Sequence, residues 1–273
     1  MRLGPAVVFL GFVGALDAFA CPTCVGPRLG DASDGEVAVQ AGVRSALGSD
    51  RVGEAIDRLE WSNALEAGVA WSRFSAGVAL PFLWRQVDGV AGTGFGDLSA
   101  RGSVEVFRRE EPADSDTLRV IGSLGVPTSR GASSWVSVIG TQSFTPSLGL
   151  GWRHSDQDWA VSAVAWGALP FAQGGASVVF GPSAGTGVSG EYSPWRWLTG
   201  RLSLDFKQQW AAREAGLVLA DSQFTMVMLG AEARVSPARW IGIVAGLGVP
   251  LVCESPGEYS HGRVYRLSLE LSI

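Results

Sequence analysis

The sequence predicts an all-β fold, a twelve-stranded antiparallel transmembrane β-barrel of the bacterial outer membrane, and three observations support this prediction. The 273 residues are 47% hydrophobic and only 17% charged, and the mean hydropathy of +0.21 is high for a soluble domain. Beyond residue 20, no apolar run reaches the ~18–20 residues that a membrane helix needs. Apolar residues instead alternate with polar or small ones, which is the period of a strand with two different faces.

Residues 1–20 have the pattern of a secretory signal peptide. Arg2 provides a positive start, an apolar stretch follows, and Ala18-Phe19-Ala20 forms a small-x-small cleavage site. The apolar stretch is too short to span a bilayer comfortably. The sequence therefore predicts export through a cleaved signal peptide and a mature chain that begins at Cys21.

Residues 21–34 are a predicted periplasmic segment with a Cys-x-x-Cys motif, Cys21 and Cys24. In an oxidising periplasm the two thiols can form a local disulfide, and with further ligands they could hold a soft metal. A redox pair of this type normally lies at the start of a helix, and the glycine and proline of residues 25–30 disfavour a helix there. Lipidation of Cys21 is a further alternative. Cys253, the third cysteine, falls in a predicted loop on the other side of the membrane.

Residues 35–273 form the predicted barrel. Alternating apolar residues mark twelve strands, in chain order at 37–43, 65–71, 74–84, 98–106, 118–126, 144–152, 159–166, 184–192, 198–210, 227–235, 241–249 and 265–273. The spacing of about 21 residues per strand and connection suits strands of ~9–11 residues. Short turns alternate with longer loops, predicted for example at 47–58 and 87–96. This asymmetry is expected of an outer-membrane barrel with both termini in the periplasm.

The orientation of the two faces distinguishes this barrel from a soluble sandwich or a lipocalin-like barrel, which turn the apolar face inward. The strands carry too little charge to solvate an outer surface. Aromatic residues such as Trp71, Trp84 and Trp152 stand at strand ends, where interfacial belts lie. We therefore expect the apolar face to contact lipid and the other face to line the lumen.

The predicted inner face carries charged residues of both signs, nearly balanced. Those expected to form a lumen constriction are Arg101, Glu105, Arg119, Arg201, Asp205, Lys207, Glu232, Arg234 and Arg266. Glycines on this face, such as Gly149 and Gly246, leave room for a narrow passage or an inserted loop. Arg85 and Arg153, near strand ends, are predicted rim charges.

Other functions find little support in the sequence. A net charge of −5 and a pI near 5.1 would repel nucleic acid. Barrel hydrolases place a serine–histidine pair on the wall, but Ser260 and His261 are adjacent in sequence and would point to opposite faces of a strand. We expect no enzymatic activity and no cofactor.

Several strand boundaries resemble those of uncharacterised outer-membrane β-barrel "transporter" proteins, a group similar to the phenol meta-pathway-like outer-membrane proteins. The matching segments are Val78-Ala79-Leu80-Pro81-Phe82, Gly94-Phe95-Gly96-Asp97-Leu98, Gly125-Val126-Pro127-Thr128 and the stretch from Gly140 to Leu150. The resemblance covers roughly residues 35–273 and implies movement of small, often hydrophobic, compounds. It supplies no catalytic residues, and the cysteine pair is not part of it.

The sequence thus predicts a monomeric channel for passive passage of small solutes through a narrow charged lumen, located in the outer membrane of a Gram-negative cell. Its expected partners are outer-membrane lipid and a small-molecule solute. The competing hypothesis is a closed structural or adhesive barrel that conducts nothing.

Overall fold

A computed structural model describes residues 37–52, 56–87, 90–111, 114–128, 143–172, 178–214, 217–219, 222–238, 240–255 and 259–272. The predicted signal peptide and the segment that holds Cys21 and Cys24 lie outside the described residues.

Nearly all of the described chain is β-strand. The longer strands are β1 (Val37–Val52), β2 (Ile56–Trp71), β3 (Phe74–Val87), β5 (Leu98–Glu110), β6 (Asp114–Val126), β7 (Ser143–Asp156), β8 (Trp159–Ala168), β11 (Ser183–Trp195), β12 (Leu198–Gln209), β15 (Phe224–Ala238), β16 (Ile241–Glu254) and β17 (Tyr259–Ser272). The shorter ones are β4 (Val90–Phe95), β9 (Phe171–Ala172), β10 (Val178–Val179), β13 (Ala212–Glu214) and β14 (Leu217–Leu219). No helix in the described residues is long and apolar enough to cross a membrane.

The longer strands close into one antiparallel barrel. Their order is β2-β1-β17-β16-β15-β12-β11-β8-β7-β6-β5-β3, and pairing between β2 and β3 closes the ring. The strand β4 shares the position of β5, because both pair with β3 along different halves of its length. The barrel therefore has twelve strand positions, and the predicted fold class is confirmed.

The outer face of the barrel is apolar, and the inner face is polar. Leu65, Leu148 and Leu202 are each more than 60% exposed, whereas their strand neighbours on the other face are buried or half-buried. Within the described residues, no charged side chain lies on the outer face between the two ends of the strands. Such an outer surface suits hydrocarbon, where a midplane arginine or lysine costs about 2–4 kcal/mol.

Exposed aromatic side chains gather at both ends of the barrel. The end with short connections, which we call the short-turn end, carries Trp71, Phe74, Phe107, Trp152, Trp159, Tyr192, Trp195, Trp197 and Trp240. The opposite, long-loop end carries Trp61, Phe82, Phe95, Phe144, Phe171 and Trp210. Two aromatic girdles around an aliphatic band are typical of outer-membrane barrels.

The break between β4 and β5 lies where three of the quoted sequence segments meet. The Gly96 amide donates to the Pro81 carbonyl at 2.8 Å, and the Thr128 hydroxyl donates to the Gly96 carbonyl. A Cβ atom at Gly96 would lie 2.9 Å from Pro81 Cγ and 3.0 Å from Leu83 Cδ1, so any other residue there would have to displace these side chains. Proline at 81 cannot donate a ladder hydrogen bond, which agrees with the interruption of the strand opposite it.

The strands at the long-loop end run further than the sequence predicts. The loops predicted at 47–58 and 87–96 are wrong for most of their length, because β1 continues to Val52, β2 begins at Ile56 and β4 occupies 90–95. Outside the hydrocarbon layer the outer face of a strand does not need to be apolar. Residues 47–58 and 87–96 therefore lack the apolar alternation by which a strand is recognised in the sequence, and they were predicted as loops. A small sheet of β10, β13 and β14 adds to this end. Beside it, Gln209 Nε2 at the end of β12 donates to the carbonyl of Pro182 at 3.2 Å, in the segment that joins β10 to β11.

Candidate functional site

The inner wall of the barrel holds the nine residues predicted to form the constriction. Arg101, Glu105, Arg119, Arg201, Asp205, Lys207, Glu232, Arg234 and Arg266 all lie on the inner face of β5, β6, β12, β15 or β17. They do not gather in one ring. Some join a chain of ion pairs along one half of the wall, and the others lie on the opposite wall or nearer the long-loop end. Their role as a constriction stays a prediction.

An unbroken chain of ion pairs, which we call the ladder, runs along the wall from β7 to β17. Arg153 Nη2 lies 3.0 Å from Glu191 Oε2, and Glu191 Oε1 lies 3.9 Å from Arg201 Nε. Arg201 Nη1 lies 3.8 Å from Glu232 Oε2, and Glu232 Oε1 accepts a hydrogen bond from Arg266 Nη1 at 2.7 Å. Cations and anions therefore alternate, and each glutamate contacts two arginines.

The ladder crosses two strands that contribute only small side chains. β16 lies between Glu232 and Arg266, and a Cβ atom at Gly246 would lie 3.0 Å from Glu232 Cγ. β8 lies between Arg153 and Glu191, and there Ala160 and Ser162 face the lumen. The inner glycines thus support side chains from neighbouring strands, rather than the open space or inserted loop expected at Gly246.

Two further ion pairs continue the charged surface toward β2. Arg234 Nη2 lies 3.0 Å from Glu270 Oε2. This ion pair spans β16 at the position of Gly242. Arg44 Nη2 lies 2.9 Å from Glu66 Oε1, with both side chains less than 10% exposed. The half of the inner wall from β11 through β17 to β2 is therefore ionic.

On the opposite wall, β5 and β6 carry a separate cluster. Glu105 is held by two hydrogen bonds from Arg108, at 2.5 and 2.9 Å, and by a longer one from Arg119 at 3.3 Å. A β-bulge between Glu105 and Phe107 places both Glu105 and Arg108 on the inner face, although they are three residues apart. Arg101 lies further along the same strand.

Two predicted site residues on β12 lie nearer the long-loop end. Asp205 Oδ2 accepts a hydrogen bond from the Ser203 hydroxyl at 3.1 Å. Lys207, the one lysine of the chain, is 5% exposed, and its ammonium lies 5.4 Å from the centre of the Phe224 ring.

Arg85 is not the rim charge that its position predicts. It is 1% exposed, and its Nε and Nη2 atoms lie 2.9 and 2.8 Å from Glu60 Oε2. The strand β3 continues to Val87, so Arg85 lies within the paired region of the wall. Arg153 is likewise part of the ladder.

Sequence reasoning missed six charged residues of the inner wall: Arg44, Glu60, Arg108, Glu191 and, as wall residues, Arg85 and Arg153. Arg44 and Glu191 could have been found by extending the same alternation through their strands, because their neighbours Val43 and Tyr192 are outward. Arg108 could not, since the bulge shifts the period.

An apolar patch faces the lumen between β6 and β11. Ile121 and Val164 are buried, and Trp166 packs against them. The Trp166 side chain lies against two glycines, because a Cβ atom at Gly185 would lie 2.8 Å from its ring and one at Gly149 would lie 3.0 Å from its Cβ. The register of β8, which is apolar on both faces and ambiguous in the sequence, is thereby settled.

The outer rim at the short-turn end mixes aromatic and charged groups. His154 Nδ1 lies 3.0 Å from Asp116 Oδ1, and Trp159 Nε1 donates to Asp156 Oδ2 at 3.1 Å. Nearby, the exposed Arg109 pairs with Glu111. These groups suit a membrane–water interface and are not directed into the lumen.

The described residues provide little for catalysis or metal binding. No group of three or more histidine, cysteine, aspartate or glutamate residues in that part of the chain could hold a metal ion. Ser260 and His261 lie in β17 rather than in a loop. Cys253, on β16, is a thiol.

Comparisons with known proteins agree with the barrel. No family model and no curated protein sequence matches the chain. Its structure is similar to that of the COG4313 outer membrane channel from Pseudomonas putida F1, at 16% identity and a TM-score of 0.76, over 91% of this chain and 100% of that one. The β-domain of the Bordetella autotransporter BrkA aligns at 12% identity and a TM-score of 0.54, over 86% and 100%. At these identities the likeness concerns the fold.

Proposed function

We propose that this protein is an outer-membrane channel through which small solutes pass passively along a charged lumen. The observation that carries the proposal is the difference between the two faces of the closed barrel: ionic side chains line the inside, and aliphatic side chains cover the outside. Charged groups are costly to bury without water or partners, so an ionic inner wall favours a hydrated interior. The similarity in fold to an outer-membrane channel supports the same function.

The accessibility of several charged side chains also supports a hydrated lumen. The side chains of Arg119 and Arg153 are 32% and 39% exposed, although both belong to the inner wall. A barrel filled by its own side chains would leave less room around them. Solutes that pass the lumen would therefore meet arginines on both walls.

Planar-bilayer conductance of the purified full-length protein tests the proposal. We expect discrete single-channel currents, and we expect the double variant Arg119→Ala, Arg201→Ala to conduct more because two long side chains leave the lumen. Glu191 and Glu232 keep Arg153 and Arg266 as partners, so the barrel should still fold. Arg73→Ala, in an exposed turn, is the matched control and should conduct like the unmodified protein. Unchanged conductance in the double variant would contradict a charged passage.

The second candidate is a closed structural or adhesive barrel. The mutual pairing of arginines and glutamates favours it, because such pairs can seal a lumen. It predicts no current above background in the same bilayers, with or without the substitutions.

Export and outer-membrane location are part of the proposal. Cell fractionation should recover the protein with the outer membrane, without residues 1–20. Mass spectrometry of the same material would also establish whether Cys21 and Cys24 form a disulfide, bind a metal or, for Cys21, carry lipid. Native mass spectrometry in detergent tests the expected monomer.

A further inference from the structure

A groove of about 960 Å³, which we call the outer groove, crosses the outer face of the barrel near the short-turn end. It spans β8, β11, β12, β15 and β16. The residues of its floor are small and face outward: Gly190, Gly200, Ala231, Ala233 and Ala245. Larger exposed side chains, among them Tyr192 and Leu202, stand along its sides.

The protein's own side chains do not fill the outer groove. A Cβ atom at Gly190 would meet nothing within 4 Å, and one at Gly200 would meet only the Tyr192 carbonyl oxygen, at 4.0 Å. Gly200 pairs with Ala233, and Ala233 pairs with Ala245, so the floor extends over three neighbouring strands. Two interstrand spacings are about 10 Å, which is wide enough for two extended hydrocarbon chains side by side.

The lining of the outer groove is apolar. The charged residues of the same stretch, Glu191, Arg201 and Glu232, belong to the ladder and turn their side chains to the lumen. Because successive side chains of a strand point to opposite faces, the side chains that face the groove are aliphatic or aromatic. The groove lies in the lipid-facing band, so we expect hydrocarbon rather than water to occupy it.

The short-turn end of the outer groove carries groups that suit a lipid headgroup. Pro194 of the lining leads into the turn that holds Arg196 between Trp195 and Trp197. The two indoles are exposed and stacked, with their centres 5.4 Å apart, and Arg196 is exposed between them in the chain. Tryptophan prefers the membrane interface, and an arginine at that level can donate hydrogen bonds to a phosphate.

The position of the groove also selects the leaflet. Short turns of outer-membrane barrels face the periplasm. The periplasmic leaflet of a Gram-negative outer membrane consists of phospholipids, so a diacyl lipid with a phosphate is the molecule present at this end.

We infer that the outer groove binds one diacyl phospholipid of the periplasmic leaflet, with its two chains over the small residues of the floor and its phosphate near Arg196. This inference goes beyond the proposed channel function and does not depend on conduction. A barrel that conducts nothing would bind the lipid equally well.

Native mass spectrometry of the delipidated full-length protein in detergent, with phosphatidylethanolamine added, tests the inference. We expect one lipid to remain on each chain under conditions that remove detergent. Lysophosphatidylethanolamine, which has one chain, should be retained less. Glycerophosphoethanolamine, which is the headgroup without chains, should not bind.

Two matched double variants link the lipid to the groove. Ala233→Leu, Ala245→Leu fills the floor and should abolish the retained lipid. Ala41→Leu, Ala67→Leu is the control and should retain it, because these exposed alanines also pair on neighbouring strands but lie outside the groove. All four substitutions keep an apolar residue on the outer face, so the barrel should fold in each case.

The headgroup contact and the stability of the complex give two further readouts. Arg196→Ala should weaken retention by about two- to fivefold, the range for an exposed ionic contact. Added phosphatidylethanolamine should raise the melting temperature of the full-length protein but not that of the filled variant.

Three results would overturn the inference or part of it. Absence of a retained lipid, or equal retention by the filled and control variants, would overturn the lipid site. A doubled protein mass that is lost in the filled variant would assign the groove to a second copy of this chain instead. Unchanged retention by Arg196→Ala would overturn the placement of the phosphate.

Discussion

In both halves of the inner wall, glycines accommodate side chains from neighbouring strands. Those side chains are ionic in one half and aromatic in the other. Between β11 and β2, Gly242 and Gly246 let arginine and glutamate side chains reach across β16 to each other. Between β6 and β11, Gly149 and Gly185 leave space for the side chain of Trp166. At these four positions a glycine on the inner face accommodates a long side chain from a neighbouring strand, and the position of the glycine alone says nothing about the polarity of that side chain.

The largest effect should come from the buried pair on β2 and β3. Arg85→Ala leaves the 3%-exposed Glu60 without its arginine, and removing one partner of a buried pair costs about 3–5 kcal/mol. We expect a marked drop in the melting temperature, measured by circular dichroism in detergent. Arg109→Ala, which breaks the exposed pair with Glu111, is the control and should change nothing measurable. Equal melting temperatures for the two variants would contradict the burial of the Arg85 pair.

A smaller effect is expected in the apolar half. In Gly185→Ala the new methyl group would lie 2.6 Å from the Phe206 carbonyl and 2.8 Å from the Trp166 ring, and overpacking of this kind costs about 1–3 kcal/mol. Gly190→Ala, on the same strand, meets nothing within 4 Å and should leave the melting temperature unchanged or slightly higher. Equal melting temperatures for the two variants would show that the packing of the Trp166 indole does not require a glycine at position 185.

The smallest effect should occur at the end of the ladder. Arg153 is 39% exposed, and Glu191 retains Arg201 when Arg153→Ala is introduced. Exposed ion pairs contribute about 0–1 kcal/mol, so the melting temperature should move by little. A loss as large as that of Arg85→Ala would mean that the ladder stabilises the barrel as one unit.

The face of each strand was predictable from the sequence, whereas the partners of its side chains were not. Period-two alternation encodes which residues of β12 or β17 face the lumen, and every predicted constriction residue lies on that face. Which of them meet depends on the register between strands, which local alternation does not encode. Glu232 meets Arg266 across β16 only because the register brings both opposite Gly246.

Strand ends and irregularities were the other source of error. The bulge beside Glu105 shifts the period, so Arg108 could not be assigned by alternation. Arg85 was expected at the rim because the apolar alternation of its strand ends at Trp84 and a glycine-rich stretch follows, part of which forms β4 in the structure. Apolar patterning ends with the hydrocarbon, but hydrogen-bonded pairing does not.

The alternation of the ladder has a practical consequence for protein engineering. Each glutamate of the ladder is shared by two arginines, so one ladder arginine can be replaced without leaving a ladder glutamate unpaired. The electrostatic potential of the pore could then be adjusted in steps of one elementary charge on an otherwise constant scaffold, which would make this barrel a convenient starting point for designing nanopores of graded ion preference.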